Sequence, residues 1–313
     1  MAIDPHMSEK PNRILITGGS GMVGTRLSEL LIRKGRQVVH LSRSPEKRHP
    51  LPVEVFGWDI AKRWMDPEAL EGVEAIVHLA GAGIADSRWT DKRKKELIDS
   101  RVASAELVYD YVVKYRKDLK CFVSASGIDY YGTYTGEHIL EESDPPSDDF
   151  IGRLCVRWEE AAMRFGGTCR VVVLRTSTVL SKRGGALPRL ALPVRWGVGA
   201  ALGSGKQYMP YIHIDDLCRM YIHALDNPKV EGAFNATNGD HITNAEFTRQ
   251  LASVWDKPLW MPNIPAMFLK TALGEMAEIV LQGSRASADK IISTGFEFLH
   301  GHVASALSAI YRT

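Results

Sequence analysis

Apolar positions follow two rhythms in the first half of this chain. Short β-branched runs alternate with stretches in which apolar residues recur every three or four positions. "RILITGG" predicts a strand, and "TRLSELLIRKG" a helix closed by Gly35 as its C-terminal cap. "QVVHLSR", "AIVHLAG", "KCFVSAS" and "CRVVVLRTSTVL" predict further strands, separated by helical segments such as "SRVASAELVYDYVVKY". These strands are apolar on both faces and each is followed by a helix, which predicts a parallel sheet covered on both sides. "DDFIGRLCVRWEEAA", Asp148 to Ala162, sets Ile151, Leu154, Cys155, Trp158 and Ala162 at helical spacing.

Beyond Leu180 the pattern loosens. "SKRGGALPRLALPVRWGVGAALGSGKQYMP" is rich in Gly and Pro and reads as loop. "YIHIDDLCRMYIHAL" returns to strand then helix, "GAFNAT" is a short strand, and the chain from about Asn244 is mostly helical. The expected division is a sheet domain over 8–180, rejoined by 211–240, and a smaller interleaved domain from 181–210 and 241–313. The opening "MAIDPHM", residues 1–7, has a second Met and no apolar core, and is expected to be extraneous to the fold. No internal repeat or low-complexity linker interrupts the chain.

Composition narrows the class. The 313 residues are 45% hydrophobic and 24% charged with a formal net charge of +2, as in an ordinary globular protein. The densest basic run, "DKRKKE" at Asp91 to Glu96, has no interleaved aromatic residue and reads as a solvated helix face. Nucleic acid is therefore not an expected partner. No apolar run reaches the roughly 18 residues of a membrane span. Cys121, Cys155, Cys169 and Cys218 lie in apolar runs without metal or redox spacing, so buried thiols in the cytoplasm are expected.

The chemistry is concentrated in "ITGGSGMVGTRL". Gly18, Gly21 and Gly24 form a Gly-x-x-Gly-x-x-Gly loop between the first strand and the first helix. The first glycine permits the tight turn, the second a close backbone approach to a pyrophosphate, and the third close helix–strand packing. The helix N-terminus then offers free N–H groups and partial positive charge to phosphates. Gly18, Ser20, Gly21, Met22, Val23 and Gly24 are thus the candidate phosphate contacts of a Rossmann-type doubly wound sheet. The second strand ends in Ser42-Arg43, about 20 residues past the glycines, where an acid would favour NAD. A guanidinium there suits a 2′-phosphate, so NADP(H) is the expected cofactor.

Together with "GWDI", "HLAG", "SASGIDYYG", "LRTSTVL", "YIHIDDL" and "GAFNAT", this loop resembles the extended short-chain dehydrogenase/reductase superfamily of NAD-dependent epimerases and dehydratases. The resemblance implies Asp59 and Ile60 at the adenine, and Leu79, Ala80 and Gly81 along the ribose and nicotinamide. It also implies a Ser, a Tyr whose pKa a Lys lowers, and an Asn as the chemical groups. Registered on that pattern, the tyrosine and lysine places hold Ile151 and Cys155, the asparagine place holds Arg101, and Ser126 remains. A narrower resemblance, to an atypical epimerase-family subgroup, rests on "RWT", "DYYG" and "LCVRWEEAA". That subgroup keeps the glycine loop without the usual active-site residues, and carries a C-terminal segment resembling the chain from about Ile264. Asp129 departs from it, replacing a usual glycine.

The candidate catalytic residues are therefore Ser126, Tyr131 and Arg101. Tyr131 is also at a superfamily position where the ring is structural. Arg101 either binds an anionic substrate group or pairs with an acid such as Glu159. Cys155 reads as a buried thiol, and "HIDD" at His213 to Asp216 as a strand end capping a helix, with no metal. Two functions remain open: an NADP(H)-dependent oxidoreductase or epimerase-like enzyme on a small polar molecule, and a non-catalytic dinucleotide-binding regulatory protein. Homodimer formation is left open.

Overall fold

The computed structural model describes residues 12–116, 118–132 and 136–312. The opening heptapeptide lies outside the described residues. Strands are β1 (Arg13–Thr17), β2 (Gln37–Ser42), β3 (Glu54–Asp59), β4 (Trp64–Met65), β5 (Ala75–His78), β6 (Cys121–Gly127), β7 (Ile139–Leu140), β8 (Arg170–Thr176), β9 (Thr178–Leu180), β10 (Tyr211–His213), β11 (Gly232–Ala236) and β12 (Arg285–Ala286). Helices are α1 (Met22–Arg33), α2 (Asp91–Tyr115), α3 (Phe150–Met163), α4 (Leu187–Arg195), α5 (Ile214–Asp226), α6 (Asn244–Ser253), α7 (Ala266–Leu273), α8 (Ala277–Leu281), α9 (Asp289–Ser293) and α10 (Val303–Tyr311).

The main sheet runs β11-β8-β6-β5-β1-β2-β3-β4 and is parallel except at the β3–β4 edge. The order reverses at β1, between β2 and β5, and this is where doubly wound sheets open a crevice beyond their carboxyl ends. One face is covered by α1 and α5, which bury Leu27, Leu31, Leu217 and Tyr221 against Ile14, Ile16 and Val77. The other is covered by α2 and α3, through Leu107, Val108, Val112 and Ala162 against Leu15, Ile76 and Phe122. Both faces of the strands are thus consumed, which is why their sequences run apolar without alternation. A third cluster joins α4, α6 and α10 through Leu187, Val194, Phe247, Leu251, Val303 and Leu307.

Some elements differ from the sequence pattern. "CRVVVLRTSTVL" is not one strand but two. Ser177 turns out of the sheet, its N–H and hydroxyl both donating to Ala236 O at 3.1 and 3.0 Å. Thr178 then donates to Pro210 O, and β9 pairs with β10 instead. The Gly/Pro-rich segment after Leu180 contains α4, started by a proline in its first turn. Among the described residues no helix is long and apolar enough to cross a membrane.

Candidate active site

The glycine loop forms where β1 ends against β5. Gly18 has φ +68°, and a β-carbon on it would stand 2.9 Å from the Leu79 carbonyl. A β-carbon on Gly24 would stand 2.4 Å from Gly18 O, so helix and loop close only with hydrogen there. Gly21 caps α1 without a side-chain hydrogen bond, and Thr25 N–H is the one that reaches back to Gly21 O, at 2.9 Å. The amides of Met22, Val23 and Gly24 precede it and have no acceptor of their own within the helix. No acidic residue sits in this first turn. Ser20 and Gly21 are exposed at its mouth. The cradle fits a pyrophosphate.

The neighbouring strand ends supply the rest of the groove. Thr17 Oγ1 accepts the N–H groups of Leu79 and Ala80 at 3.1 and 3.2 Å and bonds His78 Nδ1 at 2.9 Å, fastening the exit of β5 to the end of β1. This fixes Leu79, Ala80 and Gly81 along the crevice, with Gly81 exposed. Ser42 and Arg43 stand at the end of β2, beside Asp59 and Ile60 at the end of β3. Arg43 is exposed and has no ion pair among the described residues. Asp59 accepts the Lys62 N–H at 3.1 Å and has a lowered pKa for that reason.

Beyond Gly81 the crevice meets α3. Asp149 caps this helix, accepting Gly152 N–H at 2.7 Å. Ile151 is buried with Leu97 and Leu154 in a small apolar cluster under Ala82, Ile84 and Trp89. Cys155 faces the end of β6: a β-carbon on Gly127 would be 3.3 Å from its Sγ and 3.6 Å from Asp129 Oδ2. Burial pushes the Cys155 thiol far above its ordinary range, so it is no nucleophile at neutral pH.

Arg101 enters from α2. Its guanidinium lies under Gly81, with Cζ 3.1 Å from where a β-carbon would be. It stacks over Trp158 at 4.8 Å and donates to Leu97 O at 3.0 Å and Ala82 O at 2.9 Å. No acid partners it among the described residues, and its Nε is buried without a hydrogen bond. Burial lowers its pKa to about 10.

The expected acid, Glu159, is engaged elsewhere. Arg175 grips it through Nε and Nη2, both at 2.9 Å. The same network absorbs the other two candidates. Ser126 donates to Glu159 Oε1 at 2.8 Å. Tyr131 donates to Asn235 Oδ1 at 2.8 Å and accepts from Arg175 Nη1 at 2.8 Å. Both side chains are buried, and burial lifts the Tyr131 phenol to about 12. Successive strand residues point to opposite faces, and it is Gly127, not Ser126, that abuts Cys155. Arg175 and Asn235 escaped the sequence reading, which named Glu159 only as an alternative partner of Arg101. The signal was there: an arginine inside the apolar run "VVVLRT" requires a buried acceptor.

"HIDD" ends β10 and caps α5, with His213 Nδ1 accepting Asp215 N–H at 3.1 Å. His213, Asp215 and His300 bring their ligand atoms within 4.8 Å of one another. Both Asp215 oxygens, however, are taken by Arg26, at 2.6 and 3.0 Å. A neighbouring guanidinium opposes a cation, and the cluster is an ion-paired cap. Cys121, Cys155 and Cys218 are buried free thiols, while Cys169 is only half-buried.

Comparisons with known proteins agree with this architecture. The model described as "NAD dependent epimerase/dehydratase family" matches residues 14–238, and "Domain of unknown function (DUF1731)" matches 264–310. The "Epimerase family protein SDR39U1 homolog, chloroplastic" of Arabidopsis thaliana is 33% identical over 315 residues, covering 99% of this chain and 90% of its own length. The crystal structure of human epimerase family protein SDR39U1 (isoform 2) with NADPH has a TM-score of 0.86 at 31% identity, covering 96% of this chain and 99% of that one. The nucleoside-diphosphate sugar epimerase of Corynebacterium glutamicum gives 0.77 at 28% identity, covering 96% and 58%.

Proposed function

We propose, from the premise that the chain belongs to the NAD dependent epimerase/dehydratase family, that it is an NADP(H)-dependent oxidoreductase or epimerase-like enzyme acting on a small anionic molecule. The observation that carries the substrate class is Arg101, a buried guanidinium without an acidic partner, beside Gly81. An unpaired buried charge costs several kcal/mol, and a substrate carboxylate or phosphate offsets that cost.

A bound nicotinamide supplies or accepts the hydride at this site. The chain's residues do the holding. The amides of Met22 to Gly24 bind the pyrophosphate, and Leu79, Ala80 and Gly81 line the ribose and nicotinamide. Ser42 and Arg43 take the 2′-phosphate, with Asp59 and Ile60 against the adenine. The exposed, unpaired Arg43 supports NADP(H), as does the NADPH held by the human relative. The free thiols suit a reducing compartment, the cytoplasm.

A second reading, a non-catalytic dinucleotide-binding regulatory protein, is favoured by one observation. The hydroxyls of Ser126 and Tyr131 are bonded internally and not offered to a ligand. Calorimetry decides the cofactor: NADPH should bind at least about tenfold, or 1.4 kcal/mol, more tightly than NADH. Arg43→Ala should erase most of that gap. Equal affinities in the unmutated protein would remove the NADP(H) assignment. Oxidation of NADPH by carbonyl compounds carrying carboxylate or phosphate, lost in Arg101→Met, separates the enzyme from the regulator.

A further inference from the structure

Just past the end of β6 stands a carboxyl group, Asp129, with no ion pair among the described residues. Asp129 stands two residues past Gly127, in the first turn of the 3₁₀ helix Ile128–Tyr131. Its Oδ2 is 3.6 Å, and Cys155 Sγ 3.3 Å, from the point where Gly127 lacks a β-carbon. These two side chains converge on the bare Cα of Gly127 at the carboxyl end of β6. The adjacent strand, β5, leads to Gly81 and Arg101. Catalytic groups of open parallel sheets collect at such ends.

We propose that Asp129 is the proton donor and acceptor of this site, acting on a carbonyl or alcohol whose anionic neighbour is held by Arg101. This rests on the anionic-substrate reading above. With hydride delivered to the carbonyl carbon, the C=O π pair becomes the new O–H bond as the Asp129 carboxyl O–H breaks. Asp129 is left as carboxylate and regains its proton from water. Oxidation of the alcohol runs the same steps backwards.

The surroundings suit that task. On its own element, Asp129 takes a hydrogen bond only from its own main-chain N–H. From α3 it faces Asp149, whose negative charge opposes ionisation, and the neutral thiol of Cys155. Glu159, further along α3, is neutralised by Arg175. Arg101 also acts on Cys155, but no cation is among the groups that set the ionisation of Asp129. Burial, then Asp149, raises the carboxyl to about 6, close to where a general acid works at neutral pH. Asp129 as a whole residue is half-buried. Cys155 and Tyr131 are too weakly acidic to compete.

The test uses oxamate, malonamate and succinamate, which pair a fixed carboxylate with an unreactive amide carbonyl at increasing distance. Each is titrated calorimetrically into the full chain, with and without NADP⁺. The tightest member should bind about tenfold more strongly near pH 5 than near pH 7.5, because only protonated Asp129 donates to the carbonyl. Asp129→Asn, which donates at any pH, should bind well at both and lose the dependence. Asp129→Gly should bind weakly at both. Binding that depends on Arg101 but is flat with pH, or unchanged in Asp129→Asn, overturns the role of Asp129 and leaves the anion site standing. Binding indifferent to Arg101→Met overturns the anion site instead, and no binding by any member overturns both.

Discussion

Arg175 and Glu159 close on each other through two bonds of 2.9 Å, with side chains only 5% and 12% exposed. Around this pair hang Ser126 and Tyr131, and through Tyr131 the amide of Asn235 on β11. Arg175 also lies 3.5 Å over the ring of Tyr130. The network ties β6, β8, β11 and α3 together. Its charge is internal, in contrast to that of Arg101.

Glu159→Gln should therefore act on stability. It leaves the Arg175 guanidinium buried without a counter-charge, a change worth about 3 kcal/mol or more when no other acid can reach it. Urea denaturation should show the loss, and NADPH affinity should hold. A variant as stable as the parent would mean that the pair is solvated.

Tyr131→Phe tests the same network from the other end. It removes a buried hydroxyl that serves Arg175 and Asn235, which should cost about 1–3 kcal/mol. Once a substrate is found, turnover should stay within a few fold. A general acid would lose about 100-fold or more on the same substitution. A drop of that size with unchanged stability would return Tyr131 to the chemistry.

The difference between what the sequence conveyed and what it hid lies in the range of the interactions. Gly18, Gly21 and Gly24 act within a few residues of each other, between a strand and a helix with clear periods, so the tight turn and its close packing were legible. So was the division of "YIHIDD" into a strand and a cap. The partner of Ser126 was hidden because β6 is apolar on both faces, and a strand without alternation does not reveal which side each residue takes. Arg101 was read with two outcomes open, and its distance from Glu159 depended on Arg175, a competitor from another strand. Asp129 stood out only as a departure from a resemblance. Its surroundings arise from Gly127 and Cys155, which meet only in the fold.

Gly24→Ala should abolish dinucleotide binding with the fold retained. Its methyl would stand 2.4 Å from Gly18 O and 2.7 Å from Gly19 Cα, both backbone atoms that cannot swing aside. The loop must part from the helix, and the amides of Met22 and Val23 lose their aim. Calorimetry with NADPH and circular dichroism should report loss of the first signal and retention of the second. Undiminished affinity would show that the phosphates bind elsewhere.

Three buried histidines set the acid limit of the fold. His40, His78 and His213 each have a pKa lowered to about 4, chiefly by burial. In each the neutral ring is held by hydrogen bonds: His40 to Ser28 at 2.8 Å, His78 to Thr17 and Ser104 at 2.9 and 3.1 Å, His213 to the Asp215 N–H. The unfolded chain takes up these protons near the ordinary value of about 6.5, whereas the folded chain resists until about 4. The stabilisation is therefore present above about pH 6.5 and is lost as pH falls towards 4, by up to about 3 kcal/mol per histidine. Urea midpoints measured from neutral to acid should fall steeply through that window, and His40→Gln should shallow the fall by about a third. A stability flat across it would show that the rings charge freely in the folded state. His78 would then protonate beside Thr17, and the link that fastens β5 to the glycine loop would not depend on a neutral ring.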